Sequence, residues 1–146
     1  MKIENTLLLI LWGWAGIYGQ AVAQAPVISF QEVQRATGER ASHFQLDAQQ
    51  EKSMYEIQRQ RLLNLAAIAN LKNSDYDIYL RKKRAIRLYA EAATRRLLTP
   101  VQQERFASDL RARERERSAL LAALKARGAG PAEREAALLR LEVEWE

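Results

Sequence analysis

Few side chains in this 146-residue chain could carry out chemistry, and their spacing decides what kind. A hydrolytic or transfer site needs a nucleophile beside a base, paired carboxylates in one pocket, or a metal with an open position. The chain has a single histidine, His43, and no cysteine. One imidazole makes no histidine cluster, so His43 reads as a surface residue rather than a ligand. Lack of cysteine removes a disulfide framework, a thiolate metal site, a cysteine nucleophile and a lipid-modified cysteine together. Asp75 and Asp77 flank Tyr76, but residues two apart diverge on a helix, so they read as first-turn charges favoured by the helix dipole. Met54 reads as core, and no glycine-rich phosphate loop occurs. The expectation is a protein that is not an enzyme and carries no cofactor and no metal.

The chemistry that does stand out is that of helix starts. In Leu97-Leu98-Thr99-Pro100-Val101-Gln102, Thr99 is a good N-cap, because its hydroxyl can accept from a first-turn amide. Pro100 sits where a missing N–H costs nothing. Gln102, three residues after the cap, can reach back to the Thr99 amide and close a capping box. A second copy lies upstream in Leu46-Asp47-Ala48-Gln49-Gln50, with Asp47 as the cap and Gln50 in the reciprocal position. Both copies have the form Leu-(Thr or Asp)-x-x-Gln, and each opens a long amphipathic segment.

Paired Leu-Thr-x-x-Gln signatures at helix starts resemble those of the periplasmic family of Spy and CpxP, small all-helical stress proteins. The second copy, with Leu97 before it and Phe106 after it, is the closer to that pattern; the first has Asp47 in place of threonine, which keeps the capping chemistry. The resemblance covers residues 46 to about 125. It implies a helical stress protein or ATP-independent holding chaperone. The family's metal-sensing relatives are disfavoured here by the shortage of His, Cys and Met.

Length allows one domain. Ala, Leu, Arg, Glu and Gln dominate, while Gly and Pro are scarce, which favours helices with long solvated faces. Residues 1–23 read as a signal peptide: Lys2, an apolar run from Leu7 to Ile17, then Ala21-Val22-Ala23, with cleavage expected after Ala23 and a periplasmic destination. The apolar run is short for a membrane anchor. Its removal takes one lysine and one glutamate, so the net charge stays at +5. An exported basic protein rarely meets nucleic acid; acidic segments of envelope proteins, or an anionic lipid surface bound peripherally, are the expected partners.

The elements that position these motifs follow from periodicity and caps. Residues 24–45 are expected to be a tail with a short helix from Ser29-Phe30-Gln31-Glu32 to Thr37, stopped by Gly38, with residues 39–45 as a connector. Residues 46–127 form the motif-bearing helical domain. Its first long helix runs from about Ala48 to Leu71, with Met54, Ile57, Leu65 and Ile68 on one face and Arg61 reaching outward from that stripe. A second runs from about Asp75 to Leu97, with Tyr79, Ile86, Ala90, Ala93 and Leu97 as its seam and Arg81, Arg84 and Arg95 pointing away. A third runs from Pro100 to about Arg127, its apolar face of Phe106, Leu110, Leu120, Leu121 and Leu124 interrupted by Arg113 and Arg117. These arginines belong to a solvated, internally paired helix, to a section projecting beyond the bundle, or to a surface facing a partner. Gly128-Ala129-Gly130-Pro131 ends that helix, and residues 128–146 carry a terminal helix that needs a surface to cover, on its own bundle or on a second copy. Tight links favour antiparallel hairpins in an all-α fold, pairing into an elongated or curved homodimer.

Tyr79, Lys82, Lys83, Ile86 and Tyr89 are the residues expected to face unfolded client proteins, as an apolar stripe beside a basic rim. The competing reading is a structural or adaptor protein that binds one specific envelope partner or an anionic surface. The caps themselves are testable. Thr99→Ala should lower unfolding free energy by about 1 kcal/mol, the usual cost of a lost N-cap; an unchanged urea midpoint would mean that no helix begins there.

Overall fold

A computed structural model describes residues 27–145, and within them the chain is all-α, with six helices and no strand. The expected signal peptide over residues 1–23 lies outside the described residues. No helix among the described residues is long and apolar enough to cross a membrane.

Helix α1 spans Phe30–Phe44. Ser29 caps it, its hydroxyl accepting from the Glu32 amide at 3.1 Å. The expected stop at Gly38 does not occur, and the expected connector is instead the second half of the helix. Packing is the reason. Val33, Thr37, Ala41 and Phe44 form one buried face that runs past Gly38, and Gly38 itself borders open space. A glycine inside a helix costs about 1 kcal/mol against alanine, while burying a phenylalanine returns about 1.5–3 kcal/mol. The chain turns at Gln45, which takes the left-handed conformation at φ 54° and lets the Leu46 N–H donate to the Ala41 carbonyl at 3.0 Å.

Helix α2 spans Ala48–Ala67, α3 is the single turn Leu71–Ser74, and α4 spans Tyr76–Leu97. The first long helix therefore ends four residues earlier than expected, at a turn through Ile68. Asp75 caps α4 by accepting from the Ile78 amide at 3.0 Å. Helix α5 spans Pro100–Ala126 and α6 spans Pro131–Glu144, each opening on its proline as expected. Between them Gly128 takes φ 77°, and the Ala129 N–H closes the end of α5 on the Leu124 carbonyl at 2.9 Å.

Helix α1 packs on α2, α2 on α4, α4 on α6 and α5 on α6, with a lighter contact of α5 on α1. Helices α4 and α5, although joined by only Leu98 and Thr99, are not among the closely packed pairs. They diverge, and α6 folds back against both. Leu139 is buried there, and Leu138, Leu141, Val143 and Trp145 are half-buried. The terminal helix thus covers its own chain.

An apolar cluster of Phe44, Leu98 and Phe106, with Leu46 against it, holds the ends of α1, α4 and α5 together. The Phe44 and Phe106 rings are 6.0 Å apart between centroids. The inward face of α4 is Leu80, Arg87, Ala90 and Thr94, one step round the helix from the expected seam, so Tyr79, Ile86 and Ala93 are only half-buried. Hydrophobicity alone favours Ile86 over the neighbouring Arg87, whose burial rests on its ion pairs with Glu91 and Glu142. Helix α5 is buried at Phe106 and Leu124, near its two ends, while Leu110 stays exposed. Phe106→Ala should therefore cost about 3–5 kcal/mol in urea unfolding, and Leu110→Ala no more than about 0.5 kcal/mol.

Candidate functional site

The two capping motifs form one structure. At α5, the Gln102 amide donates to the Thr99 hydroxyl at 3.4 Å, and Gln102 Oε1 accepts from the Thr99 N–H at 2.9 Å. At α2, Asp47 Oδ1 accepts from the Gln49 and Gln50 amides at 2.9 and 2.8 Å, and Gln50 Oε1 accepts from the Asp47 N–H at 3.0 Å. The two side-chain amides then bond to each other. Gln50 Nε2 donates to Gln102 Oε1 at 2.8 Å, and Gln102 Nε2 donates to Gln50 Oε1 at 3.1 Å. Each also reaches a carbonyl at the end of the helix that leads into the other's: Gln50 that of Leu97 at 3.1 Å, Gln102 that of Gln45 at 3.0 Å.

This exchange is symmetric in register. The glutamines are 52 positions apart, and the same spacing relates Leu46 to Leu98, Asp47 to Thr99, Met54 to Phe106 and Arg61 to Arg113. Neighbouring side chains of α5 add to the joint. Gln103 Nε2 donates to the Leu98 and Arg95 carbonyls at 3.0 and 3.2 Å, and Arg105 donates to the His43 carbonyl. His43 is exposed, with Nε2 2.8 Å from Asp109 Oδ2.

Between the diverging helices lies a second cluster, made of charge. Arg87 is 8% exposed and Glu142 5%. Arg87 donates to Glu91 at 2.9 Å and to Glu142 at 2.8 Å, and Arg84 Nε meets Glu142 at 2.9 Å. Arg113 of α5 donates to the same Glu91 carboxylate and, at 3.2 Å, to the Trp145 carbonyl. The Trp145 ring lies 5.4 Å from the Arg87 guanidinium carbon and 5.9 Å from that of Arg113, within range of cation–π attraction. Arg117 Nε stands 4.0 Å from Glu142, an ionic contact but not a hydrogen bond. Arg113 and Arg117 therefore turn inward to α4 and α6, and α5 neither projects nor is held only by pairs along itself. Arg81 and Arg84, expected to point away from the seam of α4, meet Glu135 and Glu142 of α6.

The five residues expected to face clients all lie on α4 and divide in two. Lys82 and Tyr89 are exposed, Tyr89 at 63%. Tyr79, Lys83 and Ile86 are half-buried; the Tyr79 ring stacks on Tyr76, and Lys83 Nζ reaches the Val143 carbonyl at 3.5 Å. The large apolar groups that α4 leaves most open are Tyr76, Ile78, Leu88 and Tyr89, so Tyr76, Ile78 and Leu88 are additions to the expected set. The ion cluster also went unread in the sequence. Its signals were the Arg87–Glu91 pair one turn apart and the acidic Glu142 inside the apolar run from Leu138 to Trp145.

No protein-family model, curated protein or solved structure matches this chain. Among the described residues no group of three or more His, Cys, Asp or Glu side chains is placed to hold a metal ion.

Removing one member of a buried ion pair strands the others. Glu142→Ala leaves Arg87 with one of its two carboxylates and should destabilise the chain by about 3–5 kcal/mol. Glu135→Ala, at an exposed pair with Arg81, should cost at most about 1 kcal/mol. Chemical denaturation of both variants checks the contrast.

Proposed function

We propose that this protein is an exported, ATP-independent holding chaperone of the envelope, of the kind that its resemblance to Spy and CpxP implies, and that it works as a homodimer. The observation that carries the reading is the outer surface of α4. Ile78, Leu88 and Tyr89 stand 44–63% exposed, beside the exposed cations Lys82 and Arg95. Single exposed apolar residues are ordinary, but several along one helix, bordered by like charge, are what an unfolded segment can use. Its apolar side chains would meet Leu88 and Tyr89 by contact that demands little geometry. Its acidic groups would meet the basic rim, and the +5 net charge would favour encounter with acidic clients.

The ion cluster explains why this surface stays available. Arg84 and Arg87 are committed to Glu142, which fixes α6 on one side of α4 and leaves the Leu88–Tyr89 side uncovered. Client binding would then need no rearrangement of the bundle and no energy source.

The test is light scattering from a chemically unfolded client diluted into buffer with equimolar protein. The wild-type chain should delay aggregation. A Leu88→Ser, Tyr89→Ser double variant should shorten that delay by about half, through loss of two large apolar contacts, with little change in its own stability. No delay with the wild type would overturn the reading. Recovery of one stoichiometric envelope partner, with no client protection, would put the adaptor reading in its place.

A further inference from the structure

We propose that the cavity enclosed by α1, α2, α4 and α5 is a binding site for one compact inorganic anion of about chloride's size. Each of these helices sends one arginine into its wall: Arg40, Arg61, Arg87 and Arg113. Two carboxylates, Glu91 and Asp109, share that wall. A third carboxylate, Glu142, stands outside the wall and meets Arg87 at 2.8 Å, which still leaves four arginines against three acids. Glu91 is divided between Arg87 and Arg113, and Asp109 is engaged by His43 at 2.8 Å. The lining therefore carries more positive than negative charge in a place walled on its other sides by Phe44 and Phe106, where water screens poorly.

Two further observations point the same way. Arg87 is more than nine-tenths buried, and its Nε has no hydrogen-bond partner. A buried donor of this kind calls for an acceptor, and a charged one most of all. The Arg40 guanidinium is held below the usual arginine value, first by desolvation and then by the neighbouring Arg113 and Arg61, against the opposing pull of Asp109 and Glu91. A bound anion would relieve both desolvation and repulsion.

Size selects the ligand. The cavity measures about 30 Å³, more than the roughly 10–15 Å³ that one water needs, yet far too small for a nucleotide, a sugar phosphate or a peptide. An open groove of about 470 Å³ shares Arg40, Asp109 and Arg113 with the cavity and offers a route in from solvent. Arg61 and Arg113 also occupy equivalent positions after the two capping motifs, so the two halves of the chain present matching cations to one point.

The probe is chloride, compared with gluconate at equal ionic strength so that general screening cancels. For the full chain, the thermal midpoint should rise with chloride and not with gluconate, as ligand linkage requires. The chloride NMR line should broaden with wild-type protein, and Arg40→Gln should weaken the apparent affinity by about tenfold or more. Coincident midpoints in the two salts would overturn the proposal, and that comparison decides even if the variant does not fold. Equal line broadening by Arg40→Gln would also overturn it, because the anion would then sit on the general basic surface.

Discussion

Two side-chain amides, Gln50 and Gln102, must each serve three masters at once. Each completes the cap of its own helix, accepts from the other's amide, and donates to a carbonyl at the end of the helix that leads into the other's. A buried amide is costly unless its donors and acceptors are met. Here that condition is met only when the starts of α2 and α5 lie side by side. The same geometry brings Phe44, Leu98 and Phe106 into one cluster. Polar satisfaction and apolar burial therefore select one arrangement, and the rest of the molecule grows from it.

Away from that joint the helices splay, and the means of holding them changes. Where α4 and α5 are too far apart to pack, long arginines span the space to Glu91 and Glu142, and α6 brings the second of these carboxylates in. Ion pairs of this kind add little net stability compared with well-packed apolar groups, because desolvation offsets their attraction. They do specify position. Glu142 has only one place to sit among Arg84, Arg87 and Arg117, which sets the register of α6 and, with it, the part of α4 that remains uncovered.

Most of the helical order was legible in the residues. Ser29, Asp47 and Thr99 cap the helices they were expected to open, Asp75, read as a first-turn charge, is the cap of α4, and Pro100 and Pro131 open theirs. Caps are local, so three or four residues suffice to read them. Gly38 misled because a single residue's propensity counts for less than the face of Val33, Ala41 and Phe44 that passes it. The contact between Gln50 and Gln102 was hidden because each had a sufficient local role, and only the folded chain brings the two together. The burial of Arg87 was hidden for a similar reason: it depends on Glu142, 55 residues away, and no window along the chain contains both.

The joint itself is the most direct thing to measure. A double-mutant cycle on Gln50→Ala and Gln102→Ala, followed by urea unfolding, isolates the energy that the two amides share from the capping each performs alone. Mutual dependence requires a coupling of about 1–3 kcal/mol. If the two losses instead add to within about 0.5 kcal/mol, the helix starts are independent caps, and the organisation of the fold must lie elsewhere.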